Sequence, residues 1–482
     1  MNLKTLIGLE IHVELSTKTK MFCGCKNEFG QVPNTNVCPI CLGHPGALPH
    51  MNKEALRYAI MAGLAFDCDI ANEFKMDRKK YFYPDLVKGY QITQEDQPLC
   101  TNGHIELKSS TKGKKVRIRR IHIEEDTGKS IHNESGNTLM DYNRAGVPLI
   151  EIVSEPDMST PDEAREFLET LRERIKYLKI SDVKMSEGSL RCDVNINVYD
   201  EDSDFKTKIS EIKNLNSFKS VSKALVYEQK RHIQLAKENK IGEKETRRWD
   251  EDTQTTIVMR HKEEGNDYRF SVEGDIPKTY VEQSYIEEIK NELPELPQMR
   301  KERFMNEYKI DEYDADILTR NGYLADYYEK VVEISKDPVQ SSNWLLGDVL
   351  RQVNENEIEV EEMNMSAENL AKLIKLSSTK KVNNQTAKKV LREMFNENFD
   401  PEVYVKEKGL LQVDDDNLLQ QIVDEVVAEN PESIESIRNG KDRAIGFLVG
   451  QCMKKSKGKG NPQKFNELIK ANSWRNYLYR WN

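Results

Sequence analysis

The run Leu9-Glu10-Ile11-His12-Val13-Glu14 alternates apolar and polar residues with period two. Successive side chains of a strand point to opposite faces. Leu9, Ile11 and Val13 therefore share one face, and Glu10, His12 and Glu14 share the other. The pattern returns in Arg119-Arg120-Ile121-His122-Ile123-Glu124-Glu125-Asp126, where Arg120, His122, Glu124 and Asp126 line one face. It returns in Arg191-Cys192-Asp193-Val194-Asn195-Ile196-Asn197-Val198, with Arg191, Asp193, Asn195 and Asn197 opposite apolar partners. In Ser210-Glu211-Ile212-Lys213, Glu211 and Lys213 share a face. A half-solvated antiparallel sheet is the ordinary reading of any one such strand. Several of them presenting carboxylate, imidazole and guanidinium together point to chemistry. Hard divalent cations bound to nucleotide phosphates take carboxylate oxygens, and Arg and Lys balance the phosphate charge.

Outward from these runs, Leu6–Glu14, Val116–Asp126, Val147–Val153 and Arg191–Val198 predict a strand-rich region over residues 1–290. One strong helix interrupts it. Thr160 can cap it, Pro161 takes the first helical position, and Glu163 is placed for a capping box. Ala164, Phe167, Leu168, Leu171, Ile175 and Leu178 then form one apolar stripe. Leu293-Pro294-Glu295-Leu296-Pro297 reads as a linker. From about 298 to 410 the pattern is helical, as in Ala315–Val332 and Ala367–Leu376, and a third segment opens near Gly409. The expectation is an α+β protein. An antiparallel-sheet domain spans 1–292, an all-α domain 298–408, and a small all-α tail domain 409–482. The length of 482 residues suits roughly three domains.

The net charge is -10, from Lys+Arg 72 against Asp+Glu 82, which argues on average against a nucleic-acid binder. The average hides a polarity. Residues 411–437 hold eight acids and no Lys or Arg, whereas 441–482 hold ten Lys and Arg against two acids. The longest apolar run, Ile60–Phe66, is far short of the roughly 20 residues of a membrane span. The N-terminus has no apolar signal region, so the expected location is cytoplasmic and no membrane partner is expected. Eight cysteines are too sparse for a disulfide scaffold. Four of them form Cys23-Gly24-Cys25 and Cys38-Pro39-Ile40-Cys41. Two close pairs joined by a short loop can place four thiolates around a structural Zn2+ with no open position. Free thiols and an iron–sulfur site are the alternatives. Cys68, Cys100, Cys192 and Cys452 read as buried small hydrophobes. Gly128-Lys129-Ser130 ends like a P-loop, but position 123 is Ile where the motif needs Gly. G-x-G-x-x-G, H-E-x-x-H and G-x-S-x-G are all missing, so any ATP would bind on a sheet. Tyr81-Phe82-Tyr83 reads as core or wall in preference to a base-stacking platform.

Longer stretches carry a resemblance. They are IGLEIHVEL, FCGC with CPICLGHPG, RKKYFYPDLVKGYQIT, IHIEEDTGKS, DYNRAGVPLIEIVSEPD, EGSLRCDVNINV, EIKNLNSF, ETRRWDE, DEYDADILT and FLVGQCMKKSKGKGNP, from residue 7 to about 462. In them the chain resembles the GatB family, the kinase subunits of the bacterial glutamyl/aspartyl-tRNA amidotransferases (GatCAB). The resemblance implies an enzyme that corrects misacylated Glu-tRNA(Gln), and often Asp-tRNA(Asn). In such enzymes this subunit uses ATP and Mg2+ to phosphorylate the side-chain carboxylate of the tRNA-bound amino acid. Ammonia from a separate glutaminase (amidase) subunit then displaces phosphate, and a small third subunit braces the pair. The first domain, the cradle, would have a fold similar to the glutamine synthetase core.

Carried onto this sequence, the resemblance implies catalytic and Mg2+-binding roles for Glu10, His12, Glu124 and Glu151, with Asp193 and Glu211 behind them. Arg78, Lys79, Lys88, Arg144, Arg191 and Lys213 would contact phosphate or substrate. Lys441, Lys454, Lys455, Lys457 and Lys459, around the helical-looking Gly446–Cys452, would contact tRNA. A solvated charged face is the ordinary reading of that basic run. The pattern is departed from at Lys80 and Val87, where Asn and Pro are expected. It is departed from again at Ser271-Val272-Glu273-Gly274-Asp275, in place of an aromatic-Pro-Glu-Pro-Asp stretch. The last twelve residues, ANSWRNYLYRWN, fit no family pattern. The rival is a non-enzymatic zinc-ribbon tRNA-binding scaffold, which has no need of clustered carboxylates.

Overall fold

The computed structural model describes residues 1–133, 135–261, 268–412, 416–438, 443–456 and 460–478. The chain divides into two compact units, Met1–Pro297 and Gln298–Asn482.

The strands of the first unit begin with β1 (Leu3–Glu14), β2 (Asp69–Ile70), β3 (Glu73–Phe74), β4 (Asp77–Lys80), β5 (Tyr90–Thr93) and β6 (Cys100–Glu106). They continue with β7 (Lys115–Glu125), β8 (Lys129–His132), β9 (Thr138–Asp141), β10 (Pro148–Ser154) and β11 (Leu190–Asp200). The remainder are β12 (Ser210–Lys213), β13 (Glu245–Asp250), β14 (Thr255–His261), β15 (Ser271–Val272) and β16 (Thr279–Tyr280). The helices are α1 (Lys53–Ala65), α2 (Pro161–Leu178), α3 (Phe218–Lys237) and α4 (Gln283–Glu292). Nine strands form one sheet in the order β14-β13-β12-β11-β1-β10-β7-β6-β2. A smaller sheet of order β15-β4-β5 stands apart from it in pairing.

The apolar faces foreseen from alternation make the core. Ile7, Leu9, Ile11, Val13, Ile121, Ile123, Ile150, Ile152, Val194 and Ile196 are all buried, packed with side chains of α1, α2 and α3. Each such side chain contributes roughly 2 kcal/mol on leaving water. The helices occupy that face, so the opposite face carries the polar side chains.

Two local expectations are corrected. The sheet is not wholly antiparallel: β12 and β13 pair in parallel. The chain between them contains α3, the crossover that a parallel pair requires. The capping box of α2 is half formed. Thr160 accepts from the Glu163 backbone N–H at 3.2 Å. The Glu163 carboxylate, however, accepts from Ser159 N–H at 2.6 Å, Thr111 Oγ1 at 2.6 Å and Lys114 Nζ at 2.8 Å. The second unit is helical as foreseen, and a break divides the Ala315–Val332 stretch between two helices. Its helices run α5 (Pro297–Arg303), α6 (Glu312–Arg320), α7 (Gly322–Ser335), α8 (Pro338–Trp344), α9 (Leu350–Glu355), α10 (Ala367–Ser378), α11 (Asn384–Asn396) and α12 (Pro401–Glu407). They end with α13 (Asp416–Glu429), α14 (Pro431–Arg438), α15 (Arg443–Lys455) and α16 (Pro462–Leu478). Extended Asn321 separates α6 from α7, and its side chain caps α7 by accepting from Tyr323 and Leu324 N–H at 2.8 and 3.2 Å.

Apolar side chains from Phe304 to Val405 form one core, and those from Leu419 to Ile469 form another. Among the described residues, no helix is long and apolar enough to cross a membrane.

Candidate active site

Strand β1 lies between β10 and β11, and register fixes what meets across it. His12 is paired with Glu151 of β10, and Glu151 with His122 of β7. On the other side Glu10 is paired with Asp193, and Asn195 of β11 with Glu211 of β12. Glu10, His12, His122, Glu151, Asp193 and Glu211 floor a cleft of about 740 Å³. Lys79, Tyr81, Thr93, Arg191, Lys213, Tyr268 and Phe270 also line it.

The donors fall into two clusters, not one. His12, Glu124 and Glu151 converge in one, and Glu10, Asp193 and Glu211 in the other. In the first cluster, His12 Nε2 lies 3.3 Å from Glu124 Oε1 and 3.3 Å from Glu151 Oε2. His122 Nε2 approaches the same carboxylates at 3.7 and 3.5 Å. Thr93 Oγ1 donates to Glu124 Oε2 at 3.2 Å. Burial opposes the charges of His12, Glu124 and Glu151, and mutual attraction overcomes it. His12 is pushed up to about 10 by Glu124 and Glu151. His122 and His12 hold Glu151 down to about 2 and Glu124 well below the usual carboxylate range. Among the described residues, the buried His122 Nδ1 has no hydrogen-bond partner.

The second cluster is Glu10, Asp193 and Glu211, whose ligand atoms all lie within 4.8 Å of one another. Burial first, then the charges of Glu151, Glu211 and Asp193, raise the Glu10 carboxyl above its ordinary range. Lys213 pairs closely with Asp193 and lies 3.6 Å from Glu211. Three convergent carboxylates suit a hard oxygen-seeking cation.

The four cysteines foreseen as a zinc set also converge, with all sulfurs within 4.8 Å of one another. Sulfurs bound tetrahedrally about 2.3 Å from zinc stand about 3.8 Å apart. Those of Cys38 and Cys41 are 3.9 Å apart. The Cys41 sulfur accepts from Cys38 N–H at 3.2 Å, and the fully buried Lys20 ammonium lies 3.6 Å away. The Cys23 thiol, the Cys38 N–H and Lys20 together hold Cys41 down to about 4. Cys68, Cys100, Cys192 and Cys452 are buried free thiols.

The basic residues named from sequence divide. Lys79, Arg191 and Lys213 line the cleft. Arg191 Nη2 donates to Asp126 at 2.7 Å. Arg78 does not line it; Glu273 holds its guanidinium by two bonds of 2.7 Å. Arg144 donates to the Thr127 and Gly128 carbonyls at 3.1 and 2.9 Å and lines a different cavity. Lys88 pairs with Glu125 on the opposite face of β7, in a small cavity bordered by Cys23 and Cys41. Glu125 points away from Glu124, as strand alternation requires. Lys455 is bound to Glu425 and Glu429 of α13 at 2.8 and 2.7 Å, and Lys454 is exposed. Lys441, Lys457 and Lys459 lie outside the described residues.

The sequence had a signal for His122 and Asp126, which share the Glu124 face, although no role was assigned to them. Thr93, at the end of the short strand β5, and Tyr268 and Phe270, on the irregular segment before β15, had none. Of Tyr81-Phe82-Tyr83, foreseen as core or wall, Tyr81 walls the cleft, whereas Phe82 is 76% exposed and Tyr83 57%.

The sequence matches a recognised class. A family model described as the GatB/GatE catalytic domain matches residues 5–287, and one described as the GatB domain matches residues 326–472. The chain belongs to the GatB family. It is similar to the B subunit of the aspartyl/glutamyl-tRNA(Asn/Gln) amidotransferase of Finegoldia magna, at 96% identity over 470 residues, 98% of this chain and 99% of that protein. The Clostridium tetani counterpart is 51% identical over 471 residues, covering 97% and 98%. That of Clostridium botulinum is 50% identical over 470 residues, with the same coverage.

Proposed function

We propose that this chain is the activating subunit of a tRNA-dependent amidotransferase of the cytoplasm. It would phosphorylate the side-chain carboxylate of Glu-tRNA(Gln), and of Asp-tRNA(Asn), at the expense of ATP. Amidation would follow with ammonia from a glutaminase (amidase) subunit, the assembly being braced by a small third subunit. The observation that carries this reading is the pair of donor clusters side by side on one sheet face, inside one cleft. The family and the named relatives support it. The scaffold alternative gives no reason to bury Glu124 and Glu151 beside two histidines.

A carboxylate is a poor acyl donor because its oxygen leaves badly. In the proposed reaction its oxygen attacks the γ-phosphorus of ATP, and the bond to ADP breaks. Ammonia then attacks the carbonyl carbon of the acyl phosphate, inorganic phosphate leaves, and the nitrogen loses a proton. Glu10, Asp193 and Glu211 would hold one Mg2+, and His12, Glu124 and Glu151 a second divalent ion. Bound there, Mg2+ supplies charge neutralisation between phosphate and the attacking carboxylate. Lys79, Lys213 and Arg191 rim these clusters and orient anionic groups. The sheet fixes all of them in advance, so little reorganisation accompanies reaction.

Cys23, Cys25, Cys38 and Cys41 would hold a structural Zn2+, which metal analysis would read as one zinc per chain. Residues 1–292 form the cradle, 298–408 the helical domain and 409–482 the tail in this reading. Exposed Lys454 is the described basic-end residue best placed to meet tRNA phosphate.

The test reconstitutes the chain with its glutaminase and small partner subunits and measures ATP hydrolysis with and without Glu-tRNA(Gln). Stimulation by the aminoacylated tRNA is expected. Hydrolysis indifferent to it would favour the scaffold.

A further inference from the structure

The cleft has an aromatic wall that the proposed chemistry leaves unused. Tyr83, Tyr81, Tyr268 and Phe270 form an edge-to-face ladder with ring centroids 6.1, 6.0 and 6.2 Å apart. Tyr81, Tyr268 and Phe270 all line the cleft. The Lys79 ammonium stands 4.9 Å from the Tyr268 ring centroid and 5.9 Å from that of Tyr81. The wall is held in place. Lys80 N–H donates to the Tyr268 carbonyl at 2.9 Å, and β15, just after Phe270, pairs with β4. Arg78, clamped to the fully buried Glu273, pins the same segment to β4. Aromatic faces beside a cation at the edge of a polar cleft suit an unpaired nucleobase and its phosphate.

We propose that Tyr81, Tyr268 and Phe270 form the stacking platform for the 3′-terminal adenine of the aminoacylated tRNA, with Lys79 facing its phosphate. This rests on the functional reading above. Adenine could come from either substrate, and distance decides between them. The amino acid is esterified to the terminal ribose, and a glutamyl side chain is a short spacer. A carboxylate delivered to the Glu124 cluster therefore brings that ribose close by. Tyr81, Tyr268 and Phe270 line the same cleft as Glu124. The adenine of ATP is set back from its γ-phosphorus by the triphosphate and ribose. A separate cavity of about 360 Å³, sharing Glu10 and Glu211 with the cleft and lined by Arg119, Asn195, Lys206 and Lys244, offers it space.

The experiment uses the assembled amidotransferase and tRNA carrying 2-aminopurine in place of the terminal adenine. The wild type should quench its fluorescence by stacking. Tyr268→Leu and Phe270→Leu should each lose most of that quenching, and Tyr268→Phe should keep it. With natural Glu-tRNA(Gln), each Leu variant should raise KM for the tRNA about tenfold and leave KM for ATP within about twofold. Undiminished quenching in both Leu variants, or a rise in KM for ATP with none for tRNA, would overturn the platform. Wild-type enzyme lacking tRNA-stimulated ATP hydrolysis would instead count against the functional reading, while the quenching still reports on the wall.

Discussion

His12 shows how one residue can knit a site and yet stand in the way of a ligand. With no divalent ion its protonated ring neutralises Glu124 and Glu151. Its pKa is raised from 6.5 to about 10 despite burial. A folded-state value above the unfolded one means that the charge contributes stability fully below about pH 6.5. That contribution is lost as pH rises toward 10. In chelator, the thermal midpoint of the wild type should exceed that of His12→Gln at pH 6.5, and the gap should close by pH 10. A constant gap would contradict the ion-pair role. Metal binding needs the neutral ring, so Mg2+ should bind with release of a proton and more tightly at higher pH. Much of this site was legible, since alternation placed His12 and Glu124 on polar faces and the family resemblance added Glu151. The split into two clusters was not, because it depends on which strands neighbour β1. Lys88 was misplaced for a related reason. It reaches Glu125, the odd member of an otherwise alternating run, on the opposite face.

At the level of elements, α3 carries a charge network against the edge of the sheet. Glu228, fully buried, meets Arg231 at 2.7 Å, Arg247 at 3.2 Å and His232 at 3.5 Å. Burial would raise its carboxyl, but His232, Arg231 and Thr256 outweigh that and hold it at about 2. The depressed value contributes stability above about pH 4.5 that is lost as pH falls toward 2. Its size is of order 3 kcal/mol at about 1.4 kcal/mol per pH unit. Glu228→Gln should therefore be much less stable than the wild type near neutral pH and nearly equal to it near pH 2, as read by denaturant unfolding. No convergence at low pH would contradict the assignment. The long strands of this sheet were readable from sequence because one side is apolar and the other polar. The parallel β12–β13 pair and the break at Asn321 were not. The first depends on a crossover, and the second on one side-chain cap inside a stretch whose apolar spacing continues unbroken.

Across the whole molecule, the charge of -10 averages over regions of opposite sign. The acidic residues include the donors that floor the cleft. The basic end is partly consumed internally, since Lys455 is tied to the acidic α13. Exposed Lys454 is the better candidate for a phosphate contact. Lys454→Ala should weaken tRNA binding and reduce the salt slope of log Kd by about one, measured by filter binding from 50 to 200 mM salt. An unchanged slope would remove Lys454 from the interface.

The most direct test of the chemistry assigned to the sheet face is amide formation on Glu-tRNA(Gln) by the assembled enzyme supplied with free ammonium in place of glutamine. Glu10→Ala and Glu124→Ala should each abolish product while tRNA binding survives. Free ammonia bypasses the glutaminase, so a defect there would be rescued. Full activity in both variants would contradict the assignment of these carboxylates to the activation step.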